Sequence, residues 1–189
     1  MIIYLHGFNS SPLSSKAVML AEYCAKEGAA CAVPQLSDRP KIAAAQIGEL
    51  LKTDGEHALI GSSMGGYYAT WFCENRDNAR AVLINPAVRL AEKLAEYLGR
   101  EQKNYHTGET YMFEERHLEE FRALEVNKIA APEKYFLLAQ TGDEVLDYRE
   151  AEKFYAGARH LIEPGGDHSF TNFAQHLPAI LKFAGNAAE

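Results

Sequence analysis

Short, almost uniformly apolar runs recur along the chain, and longer stretches with apolar residues every three or four positions separate them. The runs at 1–6 (MIIYLH), 29–34 (AACAVP), 57–61 (HALIG), 79–85 (ARAVLIN), 134–140 (KYFLLAQ) and 158–163 (ARHLIE) read as buried strands. The stretches 14–27, 40–53, 64–75, 147–156 and 170–184 read as helices. In 64–75 the spacing of Tyr67, Tyr68, Trp71 and Phe72 makes a wide apolar face that needs cover on both sides. Pro178 interrupts the last helix and starts its final segment. Strands alternating with helices predict an α/β architecture in three layers: a mostly parallel sheet of about six strands, with helices on both faces and right-handed crossovers.

One connection breaks the rhythm. Between "LINPA" and "EKYFLLAQTGD" the chain inserts residues 87–131 where a short crossover would serve. Leu90, Leu94, Tyr97 and Leu98 share one face of a helical pattern there, and Phe113, Leu118, Phe121 and Leu124 share another. A helical insertion after the carboxyl end of a strand is where an α/β protein builds a cap over its site. Two helices that merely pack on the body would have the same pattern. The chain has no repeat and no linker, so 1–189 is expected to form a single domain carrying that cap.

Composition narrows the partners. The 189 residues have a net charge of −7, which argues against nucleic acid or an anionic membrane surface as partner. Cys24, Cys31 and Cys73 lack CxxC spacing, fit neither a disulfide framework nor a zinc site, and are expected as small core residues. The seven histidines include no HExxH pair, and neither metal nor cofactor is expected. "MIIYLHGF" reads as a strand rather than a signal peptide, no apolar run is long enough to span a bilayer, and the cytoplasm is the expected compartment.

The candidate chemistry starts at "HALIGSSMGGYYATWF". A strand–turn–helix carrying G-x-S-x-G holds its serine in a strained backbone conformation, with small residues two places before and after it so that strand and helix can approach. For Ser63 those places are Gly61 and Gly65; for Ser62 they are Ile60 and Met64, so the frame selects Ser63. A serine hydroxyl needs a positioned base, and the base an acid to orient it. His168, in the loop "EPGGDHSFTN" after the last strand, emerges at the same sheet edge as Ser63. His57 stands where its strand begins, at the opposite edge, His160 lies inside a strand and His176 in the last helix. His106 and His117 sit in the insertion, where either could still touch substrate. For the acid, Asp143 in the turn "TGDEV" ranks above Asp147, which reads as a helix N-cap with Glu150 as its capping-box partner, and above Asp167, the neighbour of His168. Two backbone N–H groups would receive an oxyanion: Met64, at a helix start, and Phe8, in "LHGFNSSP", where Gly7 permits close approach. His6 is expected to hold that loop rather than act as a base.

Ser63, Asp143 and His168 each follow their own strand, in that chain order. With "MIIYLHGFNSSP", "GSSMGGYYAT" and "GGDHSF", the chain resembles the α/β-hydrolase superfamily, and in its compact form the YqiA-type small bacterial esterases. That resemblance implies a serine esterase acting on small-molecule acyl esters, acyl-CoA thioesters included, with the triad on Ser63, Asp143 and His168. The same fold and triad also support peptide or carbon–carbon bond hydrolysis and acyl transfer, and the fold alone supports a non-catalytic binding protein.

Overall fold

The computed structural model describes residues 1–185; the last four positions of the expected 1–189 unit lie outside the described residues. Six strands form the main sheet: β1 (Ile2–Leu5), β2 (Cys31–Ala32), β3 (His57–Ser62), β4 (Ala79–Ile84), β7 (Tyr135–Gln140) and β8 (Arg159–Glu163). Their order is β2-β1-β3-β4-β7-β8, every pairing is parallel, and Ser62 at the end of β3 stands in register with Ile84 of β4. Parallel neighbours require the chain to return over a face each time, so the helices lie on both sides.

Alternation along the strands divides the core. Ile3, Leu5, Leu59, Leu83, Tyr135 and Leu137 point to the face covered by α2 (Pro40–Leu50), α3 (Met64–Glu74) and α6 (Tyr148–Phe154). Ile2, Tyr4, Ile60, Val82, Ile84 and Phe136 point to the face covered by α1 (Ser15–Lys26) and α7 (Leu177–Phe183). Of the apolar face expected of 64–75, Tyr67, Tyr68 and Phe72 of α3 are buried, whereas Trp71 is only half-buried. Cys24 and Cys73 are buried as expected, whereas Cys31, on the edge strand β2, is only half-buried.

Some boundaries moved. The run 29–34 yields only two strand residues, because the Ala29 N–H is spent on the Cys24 carbonyl (2.8 Å) and Pro34 has no N–H to offer. The stretch 170–184 is a turn of 3-10 helix at Phe173–His176 followed by α7, with Pro178 in its first turn, so His176 precedes the helix.

The insertion differs most. Helix α4 (Leu90–Leu94) continues as 3-10 helix only to Tyr97, and Leu98 is exposed rather than packed. An unexpected antiparallel hairpin follows, β5 (Glu101–Lys103) and β6 (Thr110–Met112), then α5 (Glu115–Ala123), which buries Leu118 and Phe121. Three-residue strands that bury almost nothing leave no readable alternation; Gly108 at φ 76° was their only strong turn signal.

The insertion is bonded to the body at several points. The Arg39 guanidinium forks onto Glu120, and the Tyr67 hydroxyl donates to the Phe121 carbonyl at 2.6 Å. Asn9, in the loop after β1, is held by the hairpin from three directions. Its Nδ2 donates to Gln102 Oε1 (3.1 Å), the Tyr111 hydroxyl donates to its Oδ1 (2.8 Å), and the Tyr105 N–H donates to its carbonyl (2.8 Å).

Candidate active site

Ser63 lies between β3 and α3 with φ 54° and ψ −117°, a region that L-residues avoid. The backbone around it holds that conformation. Its N–H donates to the Ile84 carbonyl (3.0 Å), and its own carbonyl accepts from Gly66 (3.0 Å) and Ala87 (3.2 Å). The glycine frame has the expected steric basis: a Cβ at Gly61 would collide with the Gly65 backbone, and one at Gly65 with the Leu5 carbonyl. Gly65→Ala is therefore expected to destabilise the fold by about 3 kcal/mol or more. Gly48→Ala, in α2 with its nearest neighbour 4.0 Å away, is expected to stabilise it by about 0.5–1 kcal/mol. Urea midpoints of the two variants check this, and equal shifts would refute the steric account.

Ser62 and Ser63 both line a cavity of about 630 Å³ shared with His168 and Phe8, but Ser62 is 6% exposed at the end of its strand while Ser63 is half-buried. The Asp143 side chain, only 2% exposed, stands behind His168, with both carboxylate oxygens 2.9 Å from Nδ1. A carboxylate accepts only, so Nδ1 carries the proton in the neutral ring, and Nε2 keeps its lone pair. Burial pushes the Asp143 carboxyl up. The His168 hydrogen bond and the N–H groups of Leu146 (2.8 Å) and Val145 (2.9 Å) outweigh it and hold the group below the usual carboxylate range.

Asp147 has the expected capping role, accepting from the Arg149 N–H at 3.0 Å, and is exposed on the surface. The expected capping box does not form, because the Glu150 side chain turns to Lys93 (2.7 Å) and Arg89 (3.7 Å). Asp167 offers its backbone to the loop: its N–H donates to Gln140 Oε1 (3.1 Å), and its carbonyl accepts from Asn85 Nδ2 (2.9 Å).

His6 holds its loop as expected. Its Nε2 accepts from the Leu36 N–H (3.0 Å), so its Nδ1 donates to the Gly7 carbonyl (2.9 Å), and burial lowers its pKa. Among the remaining histidines, His57 and His160 donate to backbone carbonyls and His117 accepts the Glu114 N–H, while His106 lines the cavity. Phe8 lines this cavity and also a second one of about 480 Å³, whose wall includes Met64. The Met64 N–H is the first of α3 and has no intrahelical acceptor. A Cβ at Gly7 would stand 3.9 Å from Ser63 Oγ, so the loop after β1 runs close against the serine.

The insertion takes part in the site. Leu90, Leu94 and Tyr97 supply apolar wall to the cavity that holds Ser63, and the Phe8 ring packs on Tyr97 and, edge-on, on Phe113.

Two buried amides, outside the residues that the motifs single out, hold the His168 loop. Asn85 Nδ2 donates to the carbonyls of Asp167 and His168 (3.2 Å), while its Oδ1 accepts from the Gln140 N–H (3.0 Å). Gln140 Oε1 accepts from Asp167 and Thr171, and its Nε2 donates to the Thr171 carbonyl and to Glu163 (all 2.9–3.1 Å). The exposed Glu144 accepts the His168 N–H at 3.0 Å. A signal was available: each amide ends an otherwise apolar run, and a polar group at a buried strand end requires partners.

Comparison with known proteins agrees with this architecture. The sequence profile of the uncharacterised protein family UPF0227 matches residues 1–185. Among solved structures, α/β hydrolase domain-containing protein 10 from mouse superimposes with a TM-score of 0.71 at 17% identity, over 96% of this chain and 86% of that one. Est1E from Butyrivibrio proteoclasticus, bound to ferulic acid, gives 0.70 at 16% identity, over 96% and 86%. A structure from the metagenome-derived lipolytic enzymes LipS and LipT gives 0.67 at 18% identity, over 98% and 93%. At such identities the likeness speaks for the fold, which is that of the α/β hydrolases.

Proposed function

The chain belongs to the uncharacterised protein family UPF0227, and from that premise we propose that it is a serine hydrolase of carboxylic esters, thioesters included. The observation that carries this reading is the strained Ser63 in one cavity with His168, whose Nδ1 is held by the buried Asp143. In this reading Ser63 Oγ attacks the acyl carbon while its proton passes to His168 Nε2. The backbone N–H groups of Met64 and Phe8 receive the negative charge that develops on the carbonyl oxygen. His168 then returns the proton to the leaving oxygen or sulfur, and water releases the acyl group by the reverse proton path. Asp143 keeps the histidine in the tautomer this requires.

Residues 87–131 serve as a cap on one α/β-hydrolase domain. The substrate is a small acyl ester or thioester, and no cofactor, metal or nucleic acid enters the scheme. The cytoplasm is the compartment proposed; among the described residues no helix is long and apolar enough to cross a membrane. That LipS and LipT are lipolytic enzymes supports the choice of ester chemistry.

The test is a panel of aryl esters and acyl thioesters of graded chain length, run before and after treatment with a fluorophosphonate. Hydrolysis that disappears in step with labelling of Ser63 is expected. Folded protein that neither labels nor cleaves any member of the panel would overturn the assignment.

A further inference from the structure

The two cavities that meet at Phe8 differ in charge: the smaller has acids alone, the larger has lysines as well. The smaller one, which neither Ser63 nor His168 lines, has Asp38 and Glu109 in its wall among neutral groups. The larger one, with Ser63 and His168, has two lysines, Lys16 and Lys93, and one carboxylate, Glu96, in its wall. Lys93 is neutralised by Glu150 at 2.7 Å. Lys16, the second residue of α1, is half-buried and donates one hydrogen bond to a neutral acceptor, the Ser169 carbonyl, at 2.7 Å. An ammonium has three donors, so two remain. Burial lowers its pKa, and Asp167 and Asp143 oppose that through space. The start of α1 adds to the positive field: Ser14, Ser15 and Lys16 all line the cavity, and Ser14 at the N-cap makes no side-chain capping bond. In a chain of net charge −7, a lysine beside the nucleophile with no carboxylate oxygen within 4 Å among the described residues calls for an explanation.

We propose that Lys16 binds an anionic group, a carboxylate or a phosphate, on the leaving-group half of the substrate. The side follows from the chemistry, and here the inference rests on the serine hydrolase reading. As the bond between the acyl carbon and the leaving atom breaks, that atom takes the proton from His168 Nε2 and so lies against His168. Lys16 is tied to the carbonyl of the very next residue, Ser169. The acid-walled cavity across Phe8 repels an anion, which leaves the Lys16 side as its place. The substrate is then an acyl ester or thioester of an alcohol or thiol that is itself an anion.

The test compares kcat/KM for three esters: phenyl butyrate, 3-(butyryloxy)benzoate, and phenyl hemiglutarate, which carries its carboxylate on the acyl half. The wild type is expected to favour 3-(butyryloxy)benzoate over phenyl butyrate by about tenfold, the worth of one hydrogen bond to a charged group. Lys16→Met is expected to bring that ratio close to one, Lys16→Arg to keep most of it, and phenyl hemiglutarate to gain nothing. A wild-type ratio near one, a ratio that survives Lys16→Met, or a preference that follows the hemiglutarate would each overturn the proposal.

Calorimetric titration with the product 3-hydroxybenzoate and with 3-hydroxyphenyl phosphate separates the two anions and does not depend on turnover. Binding weakened about tenfold by Lys16→Met supports the site even if no ester is cleaved, a result that would sink the hydrolase reading alone. Equal binding by wild type and variant overturns the site.

Discussion

Ser63→Ala is expected to lower kcat on any cleaved ester by about a millionfold and to abolish fluorophosphonate labelling. The size follows from the unit in which Ser63 is proposed to act: without that nucleophile, the base and its carboxylate would have nothing to activate, and only binding and the oxyanion donors would remain. Ser62→Ala is the matched control. Ser62 belongs to the end of β3, paired to β4 in the register Ser62–Ile84 and nearly buried, so it is expected to leave labelling intact and most of the activity in place. The reverse outcome would mean that the glycine frame points to the wrong serine. The variant is also informative about stability. Alanine at a position with φ 54° keeps the backbone strain, so the melting temperature of Ser63→Ala is expected to stay close to wild type.

Asp143→Asn is expected to reduce kcat by about ten-thousandfold with little change in KM, because an amide can present its N–H to Nδ1 and favour the wrong tautomer. Asp147→Ala is the contrast. It removes an exposed cap and is expected to lower stability by about 1 kcal/mol with activity retained. A large loss of turnover from Asp147→Ala, with Asp143→Asn active, would reverse the two roles. The Asp143 variant also carries a pH signature. The Asp143 carboxyl is held below its ordinary value in the folded protein, so the unfolded state binds more protons as acid is added. Its stabilising contribution is fully present above the ordinary carboxylate range, about pH 4, and is lost as pH falls through the lowered value. The stabilities of wild type and Asp143→Asn are therefore expected to approach each other in strong acid, as urea midpoints along a pH series would register.

The sheet was legible because its four inner strands are short, doubly buried and almost wholly apolar, so composition outlines them. Ser63 was legible because two glycines have a steric duty that no other residue can perform. Asp143 and His168 were legible as loop residues after apolar runs, in a chain order consistent with one sheet edge. What was hidden depends on contacts distant in sequence. Asn85 and Gln140 look like ordinary strand ends until the loop at 167–171 folds back onto them. Glu150 stands at the spacing of a local capping box, yet an ion pair with Lys93, from the insertion, takes its side chain. The hairpin at 101–112 has no clear signature in the sequence because it buries so little of itself and takes its hold from Asn9, far back along the chain. Lys16 reads as one more charge on a helix start; only the closing of the His168 loop sets it against the cavity.

The grip of that hairpin on Asn9 has a consequence for how such a chain can be rebuilt. Asn9 directly follows Phe8, so the insert that walls the cavity at Ser63 also fixes the backbone at the proposed oxyanion donor. A cap transplanted from a relative into positions 87–131 would bring new walls and leave Asn9 without the Gln102 amide and the Tyr111 hydroxyl. The smallest exchangeable module is therefore two segments, the insert together with residues 6–11, and a chimera that moves only the first would inherit a selectivity it has no power to express.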